Sequence, residues 1–268
     1  MTEAQGNKYK EILIAPVREC ANYSPKFGHT KSGGFSLTEF RELYGQDVFY
    51  SWFGLDSPLM YSAHKAAGGI TSVYRQIGIG CERLVREIFM DYLGLSKSGV
   101  KWSYQITDTN DKTRTLSLDG RIIFDDIKDK NAKERVIGWK NDVVEQLKLT
   151  DAVSKAMTGA VFEVRQGYKS KDSKRQNADI TNAANAYTNG YIPCLMVMSA
   201  QIDDDIVARY REAKWLILQG YLGKTPYNST YDFYKDIIGF DFADFMTKNQ
   251  TFFKSEIETI LNQLMRAE

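Results

Sequence analysis

The sequence predicts a protein of the α/β (α+β) class, with a central mixed β-sheet flanked by helices. Four short segments have the alternating or continuously apolar character of strands, at residues 100–107, 116–124, 159–165 and 191–200. Apolar residues recur at helical spacing in further segments, at residues 81–93, 173–187, 203–218 and around 257–264. Because strands and helices interleave along the chain, we expect a sheet that is covered by helices.

Length and composition limit the classes of protein that fit. The chain has 268 residues, 43% of them hydrophobic, and can bury a full core as one large domain or as two small ones. We expect a single domain over residues 1–268. The formal net charge is only +1, so binding to a polyanion has to rest on a local basic patch. The longest apolar stretch, residues 191–200, is far shorter than the roughly 20 residues that span a bilayer, and we expect no membrane interaction.

The metal-binding and targeting signals are equally restrictive. Three cysteines and two histidines lie far apart, without a CxxC pair: Cys20, Cys81, Cys194, His29 and His64. This spacing disfavours a zinc site or a disulfide framework, so a metal would need oxygen ligands, which favours Mg²⁺, Mn²⁺ or Ca²⁺. The first residues lack the apolar segment of a secretory signal, and we expect a cytoplasmic protein.

The first 76 residues give the weakest signals. Residues 11–17 fit a short strand or a helix, residues 21–35 have loop composition, and Ser36 or Thr38 fits a helix cap. We interpret the aromatic residues that follow as core rather than as a base-stacking surface: Tyr44, Phe49, Tyr50, Trp52 and Phe53. The glycine-rich residues 66–80 lack the GxGxxG spacing of a dinucleotide site, and we interpret them as leading into a helix that begins at Cys81.

That helix, residues 81–93 before Gly94, contains the first candidate functional residue. Its core stripe is predicted to be Leu84, Val85, Ile88 and Phe89. Glu82 borders this stripe, and a carboxylate next to a buried surface costs free energy unless it has a partner.

Two strands then place a second carboxylate. Residues 100–107 and 116–124 are predicted to pair across a turn at 108–112, with Asp119 on the face opposite Leu118 and Ile122. Asp119 also fits a turn residue, in which case Asp125 or Asp126 is the functional acid. Residues 128–157 are predicted to form a charged helical insertion whose apolar face holds Val143, Val144 and Leu147.

The most unusual segment is residues 159–179. An apolar strand places Glu163 and Arg165 on one face, and residues 165–175 then contain five basic residues and one acid. A helix over 173–187 is predicted to turn Ile180, Ala184 and Tyr187 inward. Further on, residues 203–205 are three consecutive aspartates, which we interpret as the start of a helix running through Leu218 rather than as a metal site.

This pattern of charges suits hydrolysis of a phosphodiester. Carboxylates on adjacent strands can hold Mg²⁺, which neutralises phosphate charge and lowers the pKa of bound water. Lys171, Lys174 and Arg175 near a helix N-terminus suit phosphate oxygens. Arg175, Gln176 and Asn177 suit contacts with base edges.

The order is a helix with Glu82, a strand, a strand with Asp119, a strand with Glu163-Val164-Arg165, a basic helix and a strand. It resembles the core of the PD-(D/E)xK nucleases, and more narrowly a type II restriction endonuclease, over about residues 77–200. The resemblance implies a restriction-endonuclease-like core with helical insertions, and a site-specific, Mg²⁺-dependent endonuclease acting on double-stranded DNA. It implies Glu82, Asp119 and Glu163 as metal ligands. It also implies a homodimer, with residues 1–76 and 128–157 in DNA recognition or dimer contacts.

One position departs from the family pattern. The family has a lysine where this sequence has Arg165, and arginine cannot act as a base. Either Arg165 supplies charge alone, or Lys169 or Lys171 takes the place of that lysine, with Gln166 a weaker candidate. The predicted catalytic residues are therefore Asp119, Glu163, Arg165 and Lys169. The predicted DNA-binding residues are Lys169, Lys171, Lys174, Arg175, Gln176 and Asn177. Two other functions stay open, a non-catalytic DNA-binding protein and another enzyme that handles phosphate esters.

Overall fold

The computed structural model describes residues 1–107, 111, 113–168 and 173–267, without the side chains of residues 107 and 173–175. The helices are α1 (Glu3–Arg18), α2 (Leu37–Gly45), α3 (Val48–Trp52), α4 (Pro58–Leu93), α5 (Lys130–Gln146), α6 (Asp151–Ala156), α7 (Ser173–Thr188), α8 (Asp204–Glu212), α9 (Thr230–Asp232) and α10 (Phe242–Leu264). The strands are β1 (Trp102–Thr107), β2 (Thr113–Leu118), β3 (Gly120–Ile123), β4 (Gly159–Arg165), β5 (Tyr191–Val197) and β6 (Leu216–Leu218).

The chain divides into two compact units, Met1–Gly80 with Lys248–Glu268, and Cys81–Thr247. The single nuclease domain over residues 1–268 stays a prediction.

The first unit is helical. Residues 11–17, which fitted either a strand or a helix, lie within α1, and the buried core of the unit is shared among Ile14, Val17, Val73, Ile260 and Leu264. The prediction that the glycine-rich residues 66–80 precede a helix beginning at Cys81 is wrong, because α4 already begins at Pro58 and includes them. Gly80 has a packing role instead: a Cβ there would lie 2.6 Å from the Leu13 carbonyl oxygen, so a larger residue would push α1 away.

Four of the five aromatic residues between Tyr44 and Phe53 are exposed. Ser36 caps α2 in a capping box with Glu39, as the sequence suggested, and Tyr44 packs on the buried Phe40 with ring centroids 4.4 Å apart. The prediction of an aromatic core is wrong for Trp52 and Phe53, which are 79% and 69% exposed. Phe49 and Tyr50 are exposed as well. Helix α3 has only five residues, and Phe49 and Phe53 pack on each other rather than on the core.

The second unit contains the sheets. The order of the larger sheet is β3-β4-β5-β6; β3 is antiparallel to β4, whereas β4, β5 and β6 are parallel. Strands β1 and β2 form a separate antiparallel pair. A protein of the α+β class with a mixed sheet is therefore confirmed, while the restriction-endonuclease-like core stays a prediction.

The core of this unit lies on the two central strands. Every residue from Gly159 to Val164 and from Ile192 to Val197 is buried, as the continuous apolar character of parallel strands predicts. The predicted stripe of Leu84, Val85, Ile88 and Phe89 is fully buried, and Gly94 ends the helix at φ +68°. Gly159 starts β4 where a Cβ would lie 2.3 Å from the Ile122 carbonyl oxygen, so only glycine allows β3 to approach this closely.

Two predicted elements need correction, and a third is helical as predicted. The returning strand 116–124 is two strands, β2 and β3, separated at Asp119. Residues 216–218 are a buried strand rather than the end of a helix, because α8 stops at Glu212 and Lys214 adopts a left-handed conformation at φ +61°. The insertion 128–157 is helical, with Val143 and Leu147 buried and Val144 half-buried.

The inward face of α7 is also shifted. Its buried residues are Gln176, Asp179, Ala183 and Ala186, whereas Ala184 is exposed and Ile180 and Tyr187 are half-buried. The shift follows from polar contacts of Asp179 with the residues beneath the helix, which the apolar pattern does not reveal. Within the ranges that the structure describes, no helix has the length and apolar character required to cross a membrane.

Candidate active site

Four acidic side chains converge around Arg165 at the carboxyl end of β4: Glu82 from α4, Asp119 from the β2–β3 junction, Glu163 from β4 and Asp179 from α7. The structure thus places the three predicted metal ligands near the predicted arginine, within the range at which their charges act on one another. It adds a fourth acid, Asp179, that the sequence analysis did not single out.

Asp119 is fixed by backbone hydrogen bonds on both sides. Its N–H donates to the Phe162 carbonyl at 2.8 Å, and its carboxylate accepts the Val164 N–H at 2.8 Å. The Asp119 carbonyl accepts from Arg86 Nη1 at 2.7 Å. In the β3–β4 register Gly120 faces Phe162, so Asp119 lies opposite Glu163. The strand break at Asp119 therefore turns its carboxylate toward β4, which a surface turn residue would not require.

Glu163 and Arg165 form an ion pair along the same face of β4. Arg165 Nη2 pairs with Glu163 Oε1 and also lies 3.5 Å from Asp179 Oδ2. Both side chains are nearly buried, with exposed fractions of 10% for Glu163 and 13% for Arg165. In this structure the guanidinium occupies the space between two carboxylates of the cluster.

Asp179 is anchored from below by two tyrosines. Its Oδ2 accepts hydrogen bonds from the Tyr210 hydroxyl and, at 3.4 Å, from the Tyr168 hydroxyl, and the two hydroxyls lie 2.9 Å apart. The Arg165 guanidinium carbon lies 5.7 Å from the centroid of the Tyr168 ring, within the range of a cation–π contact. Asp179 is only 4% exposed, so its carboxylate is held in place by these contacts.

Burial and mutual repulsion raise the pKa values of three acids in the cluster. Burial raises the pKa of Glu163 well above its ordinary value of 4.5, and the charges of Asp119, Asp179 and Glu82 raise it further against the opposing effect of Arg165. Burial likewise raises the pKa of Asp119, although the Val164 N–H and Arg165 oppose this shift. Burial and the charge of Asp119 raise the pKa of Glu82. Three neighbouring carboxyl groups thus favour protonation or a nearby cation.

The same cluster favours the charged form of Arg165. Burial disfavours its charge, but Glu163, Asp179 and Asp119 outweigh that cost and raise its pKa. Among the described residues, none accepts a hydrogen bond from the buried Arg165 Nε. A buried donor without an acceptor costs free energy, and it suits an incoming anionic oxygen.

The chemistry of the donor set suits a hard divalent cation, since all the candidate ligands are carboxylate oxygens. As the side chains stand in the described ranges, no three His, Cys, Asp or Glu residues are grouped closely enough to hold a metal ion. Arg165 takes part of that space through its contacts with Glu163 and Asp179. Glu82, Asp119 and Glu163 are the residues that would hold such a cation, and their carboxylates would have to move closer together to do so.

The structure describes only some of the predicted DNA-binding side chains. Lys169 and Lys171 lie outside the described residues, as do the side chains of Lys174 and Arg175. Arg209 on α8 donates to the side-chain oxygens of Gln176 at 2.8 Å and of Asn177 at 2.6 Å. Gln176 is 6% exposed and Asn177 is exposed, and contacts of either residue with base edges stay predictions.

The alternative acids lie elsewhere. Asp125 is 89% exposed and pairs with Lys133 at 2.9 Å, and Asp126 is exposed. The aspartates at 203–205 open α8, where the Asp203 side chain accepts the Asp205 N–H, so their interpretation as a helix start is confirmed. These observations favour Asp119 as the acid of the β2–β3 region.

Sequence reasoning missed Asp179, Tyr168, Tyr210, Arg86 and Arg209. A signal for Asp179 was present: it precedes the small residues Ala183 and Ala186 by four and seven positions, on one face of α7. An acid in register with a buried stripe is the same signal that singled out Glu82. The tyrosines gave no comparable signal, because they come from two segments 42 residues apart in sequence.

The comparisons with known proteins identify no relative: no family model matches the chain, and neither a curated protein nor a solved structure is significantly similar to it.

Proposed function

We propose that this protein is a Mg²⁺-dependent, site-specific endonuclease that hydrolyses phosphodiester bonds of double-stranded DNA, as type II restriction enzymes do. One observation supports it most: Glu82, Asp119 and Glu163 come from three separate elements, and their charges act on one another beside Arg165. Such a cluster of buried, mutually repelling acids costs stability, and a task for them at a cation-dependent site explains that cost.

In this proposal, Glu82, Asp119 and Glu163 would hold the cation, which would neutralise charge at the phosphate and make water more acidic. Arg165 contributes a permanent positive charge close to the scissile phosphate, and its Nε, which has no acceptor among the described residues, donates to a phosphate oxygen. The basic residues between Lys169 and Arg175 contact the flanking backbone phosphates. The Val164 N–H keeps the Asp119 carboxylate turned toward Glu163.

A homodimer fits this proposal, because a two-fold symmetric protein matches a palindromic DNA site. Residues 1–76 and 128–157 would then take part in dimer contacts or base recognition.

The test is cleavage of mixed plasmid DNA with and without Mg²⁺. We expect discrete fragments with the wild type in Mg²⁺, and none after Asp119→Asn or Glu163→Gln. An exposed acid on the same unit, Glu212→Gln, serves as the matched control and should leave the fragments unchanged. Wild-type protein that binds DNA yet never cuts any plasmid in Mg²⁺ or Mn²⁺ would refute the nuclease proposal.

A second candidate function, DNA binding without cleavage, is favoured by one observation. The Arg165 guanidinium already neutralises Glu163 and Asp179, so the cluster has a cation of its own. In that case Mg²⁺ should not change the affinity for DNA through the acids, and Glu163→Gln should bind DNA as the wild type does.

A further inference from the structure

Arg165 contacts two carboxylates that have different roles in the proposed function. Its Nη2 pairs with Glu163, which the proposed function makes a ligand of Mg²⁺, and lies 3.5 Å from Asp179, which has no such role. A cation at Glu163 and the guanidinium of Arg165 both require the same carboxylate oxygens. The two positive charges would also repel each other at this distance. Binding of Mg²⁺ therefore requires another place for the guanidinium.

Asp179 has the contacts expected of a second binding partner for the Arg165 guanidinium. Tyr210 and Tyr168 donate to its Oδ2, which keeps the carboxylate within reach of Arg165. The Tyr168 ring lies under the guanidinium, so a short movement toward Asp179 keeps the cation–π contact. Asp179 is 4% exposed, and a buried carboxylate that lost its cation would be left unpaired at a high cost.

The charges of the cluster agree with this division of roles. Glu82, Asp119, Glu163 and Asp179 provide four acids, and Arg165 and Arg86 are the cations that act on Asp119. A divalent cation on the first three acids compensates the remaining charge only if Arg165 stays beside Asp179. If Arg165 left the cluster altogether, Asp179 would remain as a buried acid without a basic partner.

We propose that Asp179 is a positioning residue: it retains the Arg165 guanidinium when Mg²⁺ takes Glu163, and thereby makes the metal site available. The inference rests on the proposed function, because it assumes that Glu163 binds the cation. Tyr168 and Tyr210 act through Asp179 by fixing its carboxylate. Without Asp179, Arg165 stays on Glu163 and competes with the metal.

The test is the affinity of the full-length protein for Mg²⁺, measured by isothermal titration calorimetry without DNA. Asp179→Asn should bind Mg²⁺ roughly tenfold more weakly than the wild type, a loss typical of residues that orient metal ligands. A simple loss of negative charge would also weaken binding, so the comparison is repeated in the Arg165→Gln background. There the competing guanidinium is absent, and Asp179→Asn should change the affinity by less than about threefold.

The outcomes separate the two proposals. Mg²⁺ affinity that is the same for wild type and Asp179→Asn, or that falls equally in both backgrounds, overturns the role of Asp179 but leaves the nuclease proposal standing. A wild type that binds no Mg²⁺ and cuts no DNA overturns the proposed function itself. Tyr210→Phe is a milder variant that should weaken Mg²⁺ binding in the same direction, and it replaces Asp179→Asn if that protein does not fold.

Discussion

The carboxylate of Asp119 accepts the backbone N–H of Val164 at 2.8 Å, which ties the β2–β3 junction to the strand that contains Glu163 and Arg165. One side chain thus serves both the sheet and the acidic cluster. The hydrogen bond needs only an acceptor oxygen, whereas the cluster depends on the negative charge. The two roles can therefore be separated by substitution.

Asp119→Asn should keep the fold and lose the function, because the amide oxygen can still accept the Val164 N–H. Its free energy of unfolding should lie within about 1 kcal/mol of the wild type. Asp119→Ala leaves that buried N–H without an acceptor and should cost about 1–3 kcal/mol. Both variants should lose Mg²⁺-dependent DNA cleavage. Urea unfolding and a plasmid assay check this, and equal stability of the two variants would show that the hydrogen bond is unimportant.

Stability should fall as the pH rises above about 5. Burial and neighbouring acids raise the pKa of Glu163, Asp119 and Glu82, so the folded state holds protons that the unfolded state has already released. That excess of bound protons stabilises the fold near the ordinary pKa values, and the contribution is lost as the pH rises through the folded-state values. Urea titrations between pH 5 and 8, without divalent cations, measure the slope.

The variant Glu163→Gln should flatten this decline, since its amide does not titrate, whereas Glu212→Gln on the exposed end of α8 should not. A wild type whose stability rises steadily from pH 5 to 8 would contradict the assignment of raised pKa values to this cluster.

Arg165 should be replaceable by lysine and not by a neutral residue. Under the proposed function the position needs a permanent positive charge, which Arg165→Lys keeps while losing the fixed geometry of the guanidinium. We expect Arg165→Lys to cut DNA within about tenfold of the wild-type rate, and Arg165→Met to be slower by at least about 100-fold. Single-turnover cleavage rates check the order, and Arg165→Met at the wild-type rate would exclude a role for this charge.

Arg209 should narrow what Asn177 can recognise. Because Arg209 donates to the Asn177 side-chain oxygen at 2.6 Å, the exposed amide offers mainly its N–H donors. Pairing with adenine needs both a donor and an acceptor, whereas guanine presents two acceptors in the major groove. We therefore expect Asn177 to contact a guanine or a phosphate rather than an adenine.

Selection of bound sites from randomised duplexes tests this expectation. Arg209→Gln should relax the preference at one position, whereas Arg211→Gln, the same charge change two residues along α8, should leave the selected sequence unchanged. An invariant selected site in both variants would mean that Arg209 supports the fold alone.

Gly159 should tolerate no side chain. A Cβ at this position would lie 2.3 Å from the Ile122 carbonyl oxygen, and the neighbouring backbone cannot move without opening the β3–β4 pair. Gly159→Ala should cost about 2–3 kcal/mol of unfolding free energy. Gly138→Ala is the control: it lies inside α5 with open space around it, and should stabilise the protein by roughly 0.5–1 kcal/mol. Thermal unfolding of both variants decides the comparison.

Apolar periodicity predicted the central elements well because burial dominates their sequences. The strands that contain Glu163 and Cys194 are buried throughout, and a continuous apolar run leaves few alternatives. The prediction for residues 216–218 was wrong for a related reason, because a three-residue apolar run directly after a helix continues the helical pattern. The left-handed backbone at Lys214, which separates the helix from the strand, has no signature in the composition.

The candidate site could be predicted in its charges but not in its contacts. Glu82, Asp119 and Glu163 stood out because each is an acid beside apolar residues, and burial confirms that each is at least partly removed from water. The pairing of Arg165 with Asp179, and the tyrosines beneath, depend on how α7 and α8 pack. Such long-range packing has no local signature in the sequence.

The chain distance between the acids has a kinetic consequence. Asp119 follows Glu82 by 37 residues and Glu163 follows Asp119 by 44, and the parallel β4–β5 pair closes only after α7 has crossed over. Pairings between residues this far apart in the chain slow folding. Acids that meet only after the rate-limiting step repel one another in the native state and not in the transition state. Higher pH should therefore speed unfolding more than it slows refolding, and the native protein should be longest-lived when a cation occupies the cluster.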